Sequence, residues 1–131
     1  QDRAWLQVVD ALRRRPGLAA LPLIVGGRSN GARVACRTAA DTAAKAVVAL
    51  AFPLHPPGKP EKSRLDELAA VNVPVLVVQG DRDAFGMPPA GVGRQVVVIP
   101  GADHSLKRDP AAVAAAVVAF AAGFAGGTAR A

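Results

Sequence analysis

The segment Gly27-Arg28-Ser29-Asn30-Gly31 constrains this chain more than any other; it is entered from the apolar run Leu21-Pro22-Leu23-Ile24-Val25 and left through Ala32-Arg33-Val34-Ala35. A serine with glycine two residues away on each side, between a strand-like and a helix-like run, is the pattern of a nucleophile elbow. The turn is tight enough to strain the serine's backbone, and its neighbours must lack side-chain bulk, a demand that glycine meets on both sides. Such a turn presents a hydroxyl at the carboxyl end of a sheet and backbone N–H groups to an incoming oxygen. One short segment thereby offers a nucleophile and half of an oxyanion-binding site.

The rest of the chain supplies the alternation that such a turn requires. Asp2 can cap a helix whose Trp5, Val8, Val9 and Leu12 form one apolar stripe against a sheet, ended by Pro16-Gly17. Leu21 to Gly26 reads as a strand covered on both faces, Asn30 to about Thr42 as the helix leaving the elbow, and Lys45 to Phe52 as a second buried strand. After a proline-rich loop, Ser63 caps a short helix through Leu68; Val75–Gln79 and Arg94–Ile99 are strands three and four. Asp109 and Pro110 open a last helix with Val113, Val117, Phe120 and Phe124 on its apolar face, and the end from Gly126-Gly127 is expected to fray. Strands alternating with helices imply right-handed crossovers and a parallel α/β sheet, with the ligand site outside the carboxyl ends of its strands.

Composition removes several function classes. At 131 residues the chain is one domain's worth, and its apolar stretches are broken well before the roughly 18 to 20 residues that a membrane span needs. The net charge of +6 is scattered, and its one tract, Arg13-Arg14-Arg15, falls in a helix's last turn, so nucleic acid is not an expected partner. Cys36, the single cysteine, rules out an internal disulfide, reads as a buried core residue and suits a reducing cytoplasm. There is no Cys/His metal spacing. The start, Gln1-Asp2-Arg3, is neither an initiator methionine nor a signal peptide, which leads us to expect a piece of something longer or a processed product.

A serine hydroxyl needs a histidine to take its proton, and the histidine needs a carboxylate to fix its tautomer. In sheets of this kind the chain order is serine, acid, histidine. Gly80-Asp81-Arg82-Asp83 follows strand three and Gly101-Ala102-Asp103-His104-Ser105 follows strand four. Asp83 is preferred to Asp81, because Gly80 lets the chain turn and the later residue has room to reach back over the sheet. Asp81 suits backbone N–H groups in the turn. Of the two histidines only His104 satisfies the order. His55 precedes the acid, and it is either a loop-packing residue or part of a substrate-pocket wall. Arg28, Arg82 and Lys107 lie near the site in sequence, as solvated rim charges or as groups selecting an anionic substrate.

These residues resemble the α/β-hydrolase superfamily in its dienelactone-hydrolase-like region. The segments that carry the resemblance are Val25–Arg33, Phe52–Lys59, Val78–Gly86 and Pro100–Leu106. The proline-rich loop with His55 is similar to the branch of the testis-expressed α/β-hydrolase and the third regulatory subunit of the non-specific lethal histone-acetyltransferase complex. The resemblance implies Ser29 as nucleophile, Asp83 as acid, His104 as base and the Asn30 N–H as an oxyanion donor; His55 and Arg28 are expected toward the substrate from their own places beside the site. It implies hydrolysis of small acyl substrates such as esters, without a cofactor. It also implies that residues 1–125 are a partial hydrolase domain of about four strands, lacking the upstream half and its second oxyanion donor, with 126–131 a flexible tail. Three other expectations go with it: a non-catalytic module of the same fold that binds protein, an inactive fragment of the enzyme, and self-association through the unpaired apolar edge at Leu21 to Gly26.

Overall fold

The four apolar runs pair side by side in the order in which the chain makes them. The computed structural model describes residues 1–125. In chain order it holds α1 (Asp2–Arg13), β1 (Ile24–Arg28), α2 (Asn30–Thr38), β2 (Ala46–Leu50), α3 (Leu65–Ala69), β3 (Val75–Gly80), β4 (Arg94–Ile99) and α4 (Pro110–Ala122). The sheet order is β1-β2-β3-β4 with every pair parallel, Val25 standing opposite Val47, Ala49 opposite Val77 and Val78 opposite Val97. This is the expected parallel α/β class. The expected fraying tail, 126–131, lies outside the described residues.

Period-two alternation divides the core between the two faces of the sheet. Val25, Val47, Ala49 and Val77 pack with Ala32, Ala35 and Cys36 of α2 and with Leu68 of α3, and Trp5 of α1 leans on the same cluster. Val48, Leu76, Val78 and Ile99 pack on the opposite face with Val113, Val117 and Phe120 of α4. The β3 core is sealed from water, and each fully buried Val or Leu contributes roughly 1.5–3 kcal/mol. Asp109 caps α4 by accepting the Ala112 N–H at 3.0 Å.

Polar ties fix α2, which leaves the elbow. Arg33 grips Glu67 of α3 with two bonds of 2.9 and 2.8 Å, and Arg37 grips Asp2 of α1 with bonds of 3.0 and 2.8 Å. The Arg33 hydrogen bond holds the Glu67 carboxyl below its ordinary value, against the opposing effect of burial.

Several boundaries differ from the sequence reading. β1 spans Ile24–Arg28 rather than Leu21–Gly26, because pairing with β2 carries the strand through Gly26, Gly27 and Arg28, and Gly26 is exposed rather than covered. The α1 stripe is only half used: Val9 is buried, whereas Val8 and Leu12 are exposed at 53% and 48%. β1 is an edge strand, so among the described residues no sheet continues beneath that side of α1. α2 ends at Thr38 rather than near Thr42, and Gln1, not Asp2, holds the N-cap position of α1. No helix among the described residues is long and apolar enough to cross a membrane.

Candidate active site

Ser29 follows β1 directly at φ 56° and ψ −122°, a left-handed conformation that costs a non-glycine residue on the order of 1–3 kcal/mol. Neighbouring backbone holds it there. The Ser29 N–H donates to Leu50 O of β2 at 2.9 Å, and the Ser29 carbonyl accepts the N–H groups of Ala32 and Arg33 at 2.9 and 3.4 Å. A serine at a helix N-cap ordinarily turns its hydroxyl back onto the helix. Here it makes no such bond, and Oγ lies 2.7 Å from His104 Nε2.

The two elbow glycines are not equivalent, which corrects the expectation that both are demanded by the turn. A side chain at Gly27 would collide with the Gly31 carbonyl and stand 2.9 Å from Ala32 N, whereas a Cβ at Gly31 would meet nothing within 4 Å. Among the described residues, only the glycine before the serine is required by what stands beside it. On the far side of this segment a hollow of about 470 Å³ is lined by Ala4, Trp5, Val8, Gly26, Gly27, Gly31 and Val34, among others.

His104 is carried on the loop after β4, which comes so close to β3 that a side chain at Gly80 would collide with the Ala102 carbonyl. The Arg82 N–H donates to Ala102 O at 2.9 Å, and Asp81 Oδ1 accepts the Gly101 N–H at 2.8 Å. Asp81 therefore does bind backbone, but backbone of the neighbouring loop rather than of its own turn. It ties the acid loop to the histidine loop.

Asp83 completes the constellation. Its side chain is sealed from solvent, and its Oδ2 and Oδ1 lie 2.8 and 3.0 Å from His104 Nδ1. The same oxygens already accept the Phe85 N–H at 2.8 Å and a Gln79 Nε2–H at 3.0 Å. Asp83 thus acts as an acceptor, so Nδ1 carries the proton toward it and Nε2 faces the serine with its lone pair. The Phe85 ring covers the imidazole at a centroid distance of 4.2 Å. In the sequence Gln79 reads only as the end of a strand and Phe85 has no assigned part; the one signal for Gln79 is an apolar run that ends in a lone glutamine.

The remaining candidates lie around this line. The Asn30 N–H, at the first position of α2, has no intrahelical acceptor, and its side chain donates to Gln1 Oε1 at 2.7 Å. His55 packs on the acid loop: its N–H donates to Phe85 O at 3.0 Å, its Nδ1 bonds Pro56 O at 2.8 Å, and its Nε2 lies against Gly86. Arg28 is exposed, with Nη1 at 3.5 Å from the His104 carbonyl. Arg82 and Lys107 are also exposed. Cys36 is buried in the core and its thiol is pushed up to about 12 by burial. Among the described residues no group of three His, Cys, Asp or Glu side chains is arranged to hold a metal. The arrangement can pass a proton from a strained, partly buried hydroxyl to an oriented imidazole backed by a buried carboxylate.

Residues 2–116 match the family model described as "Alpha/beta hydrolase domain". Among solved structures, the chain is similar to a dienelactone hydrolase from Anabaena variabilis, with a TM-score of 0.64 and 23% identity over 90% of this chain and 56% of that one. It is similar to a serine hydrolase without a lid from Xanthomonas campestris, with a TM-score of 0.63 and 24% identity over 86% of this chain and 53% of that one. The esterase domain of a Rhodothermus marinus protein matches with a TM-score of 0.61 and 16% identity over 91% of this chain and 65% of that one. These likenesses show the fold, and the chain spans between half and two thirds of the length of each.

Proposed function

The chain belongs to the alpha/beta hydrolase domain family, and from that premise we propose that it is a serine hydrolase of esters or related small acyl substrates. The observation that carries this reading is the continuous line from Ser29 Oγ through His104 to Asp83, with contacts of 2.7 and 2.8 Å. In the proposed reaction Oγ attacks the acyl carbon as its proton passes to His104 Nε2. Asp83 keeps the imidazole oriented and stabilises its charge, while the Asn30 N–H receives the developing oxyanion. The proton then goes to the departing alcohol, leaving an acyl-serine. Water repeats the sequence through the same imidazole and frees the acid. The scheme uses no cofactor and belongs in the cytoplasm, in keeping with Cys36 as a thiol.

Within the family, the loop Phe52–Lys59 supports a place beside the testis-expressed and non-specific-lethal-complex hydrolase-like proteins. A second reading, a non-catalytic module that binds protein, is favoured by one observation: β1 is an edge strand beside the exposed Val8 and Leu12. Fluorophosphonate labelling separates the two. The hydrolase reading expects rapid modification that disappears in Ser29→Ala; a folded parent protein that stays unlabelled overturns it in favour of the module.

A further inference from the structure

Among the described residues, the polar residues buried as a whole, backbone included, are Thr38, Thr42 and Gln79. The threonines bond carbonyls three or four residues back in their own stretch, as such hydroxyls commonly do. Gln79 is different, because it spans three separate segments. Its Oε1 accepts the Phe52 N–H at 3.0 Å, and its Nε2 lies 2.9 Å from Phe52 O, 3.0 Å from Asp83 Oδ2 and 2.9 Å from Gly86 O.

We propose that Gln79 is a positioning residue for Asp83, its buried amide holding the carboxylate against His104 while clamping the acid turn to the exit of β2. The inference rests on the serine-hydrolase reading for its catalytic meaning. The network fixes the orientation of the amide: reversing it would set NH₂ against the Phe52 N–H and place an oxygen against Asp83, Phe52 O and Gly86 O together. Two N–H bonds serve three oxygens, so one of them is shared.

The clamp sits where the sheet stops holding these segments. The β2–β3 register ends at Leu50 opposite Val78, and Ala51 then leaves the strand at φ 49°. Beyond that point the Gln79 side chain takes both the N–H and the C=O of Phe52, as a neighbouring strand would. The same chain exit reaches the acid turn again through the His55 N–H on Phe85 O, and a Cβ on Gly86 would lie only 2.6 Å from His55 Nε2. Asp83 is thus pinned by Gln79 from beneath and by the Phe85 N–H from its own turn, which leaves His104 Nδ1 as its remaining partner. A glutamate at position 79 would offer a like charge where a donor is needed, and a methionine would fill the space without bonding.

The test compares Gln79→Met and Gln79→Glu with Val77→Ala, which thins packing on the same strand but removes no side-chain hydrogen bond. The readouts are the downfield proton resonance of His104 Nδ1–H and the rate of fluorophosphonate labelling. We expect both Gln79 variants to lose or shift the resonance and to label about ten- to a hundred-fold more slowly, by analogy with the loss seen when the hydrogen-bond partners of metal-ligating side chains are removed. Val77→Ala should keep both signals. Folded Gln79 variants with the parental resonance and rate overturn the proposal. If the parent protein does not label but its resonance still depends on Gln79, the hydrolase reading falls and the positioning role stands. Should neither variant fold, the side-chain amide protons of Gln79 in the parent must respond as His104 is titrated; unmoved signals overturn the proposal.

Discussion

The two halves of the site are built to different standards. Around Asp83 and His104, donors and acceptors are matched on every side: Gln79 and Phe85 serve the acid, Asp81 ties the two loops together, and Phe85 covers the imidazole. Around Ser29, the described residues give support from one side only. Leu50 and α2 hold the elbow, while its other flank is an edge strand, an exposed Gly26, empty space beside Gly31 and a buried Trp5 Nε1 with no hydrogen-bond partner. The difference teaches that the half around Asp83 and His104 is matched by β3, by the loops after β3 and β4 and by the exit of β2 at Phe52 and His55, whereas among the described residues the Ser29 half is held only on its β2 and α2 side.

The sharpest way to break that comparison is Asp83→Asn. If the acid side fixes the imidazole as its geometry indicates, the labelling rate should fall by about 10⁴-fold, as the wrong tautomer then faces Ser29; a loss below tenfold would mean that His104 is oriented without it. Next in size is the contrast between the elbow glycines. Gly27→Ala should cost several kcal/mol, or abolish folding, since its methyl enters the Gly31 carbonyl. Gly31→Ala should leave stability unchanged or raise it by about 0.5–1 kcal/mol through helix propensity, measured by denaturant unfolding.

The smallest effect concerns the ion pairs that tie α2 to α3 and α1. Glu67 is held below its ordinary value of 4.5 by Arg33, so its contribution is present above that value and is lost as pH falls through the lower folded value. Melting temperatures of the parent and Glu67→Gln should converge as the solution is acidified below about pH 4.5. A constant difference down to the acid limit would show that Arg33 and Glu67 do not hold the elbow helix electrostatically.

Much of this was legible in the chain. β2 and β3 come within a few residues of their sequence bounds, because strands buried on both faces are marked by their own composition; β4, a half-exposed strand at the end of the sheet order, carries the bounds read from its run of Val96, Val97, Val98 and Ile99. The bounds of β1 are not legible, because Gly26, Gly27 and Arg28 have no strand character of their own; pairing with Val48, Ala49 and Leu50 decides them. The serine, acid and histidine that the structure brings together were found by chain order and by their places at strand ends. Gln79 was not, since its role depends on Phe52, 27 residues away. Nor could the inequality of Gly27 and Gly31 be read, because it is a matter of what stands beside each.

Strand order equal to chain order has one more consequence. As the polypeptide emerges during synthesis, each new strand can dock on its predecessor, and the β-layer grows in a single direction. Among the described strands, Ser29 is laid down with β1 and His104 only after β4, so the hydroxyl and the imidazole cannot meet until all four have emerged.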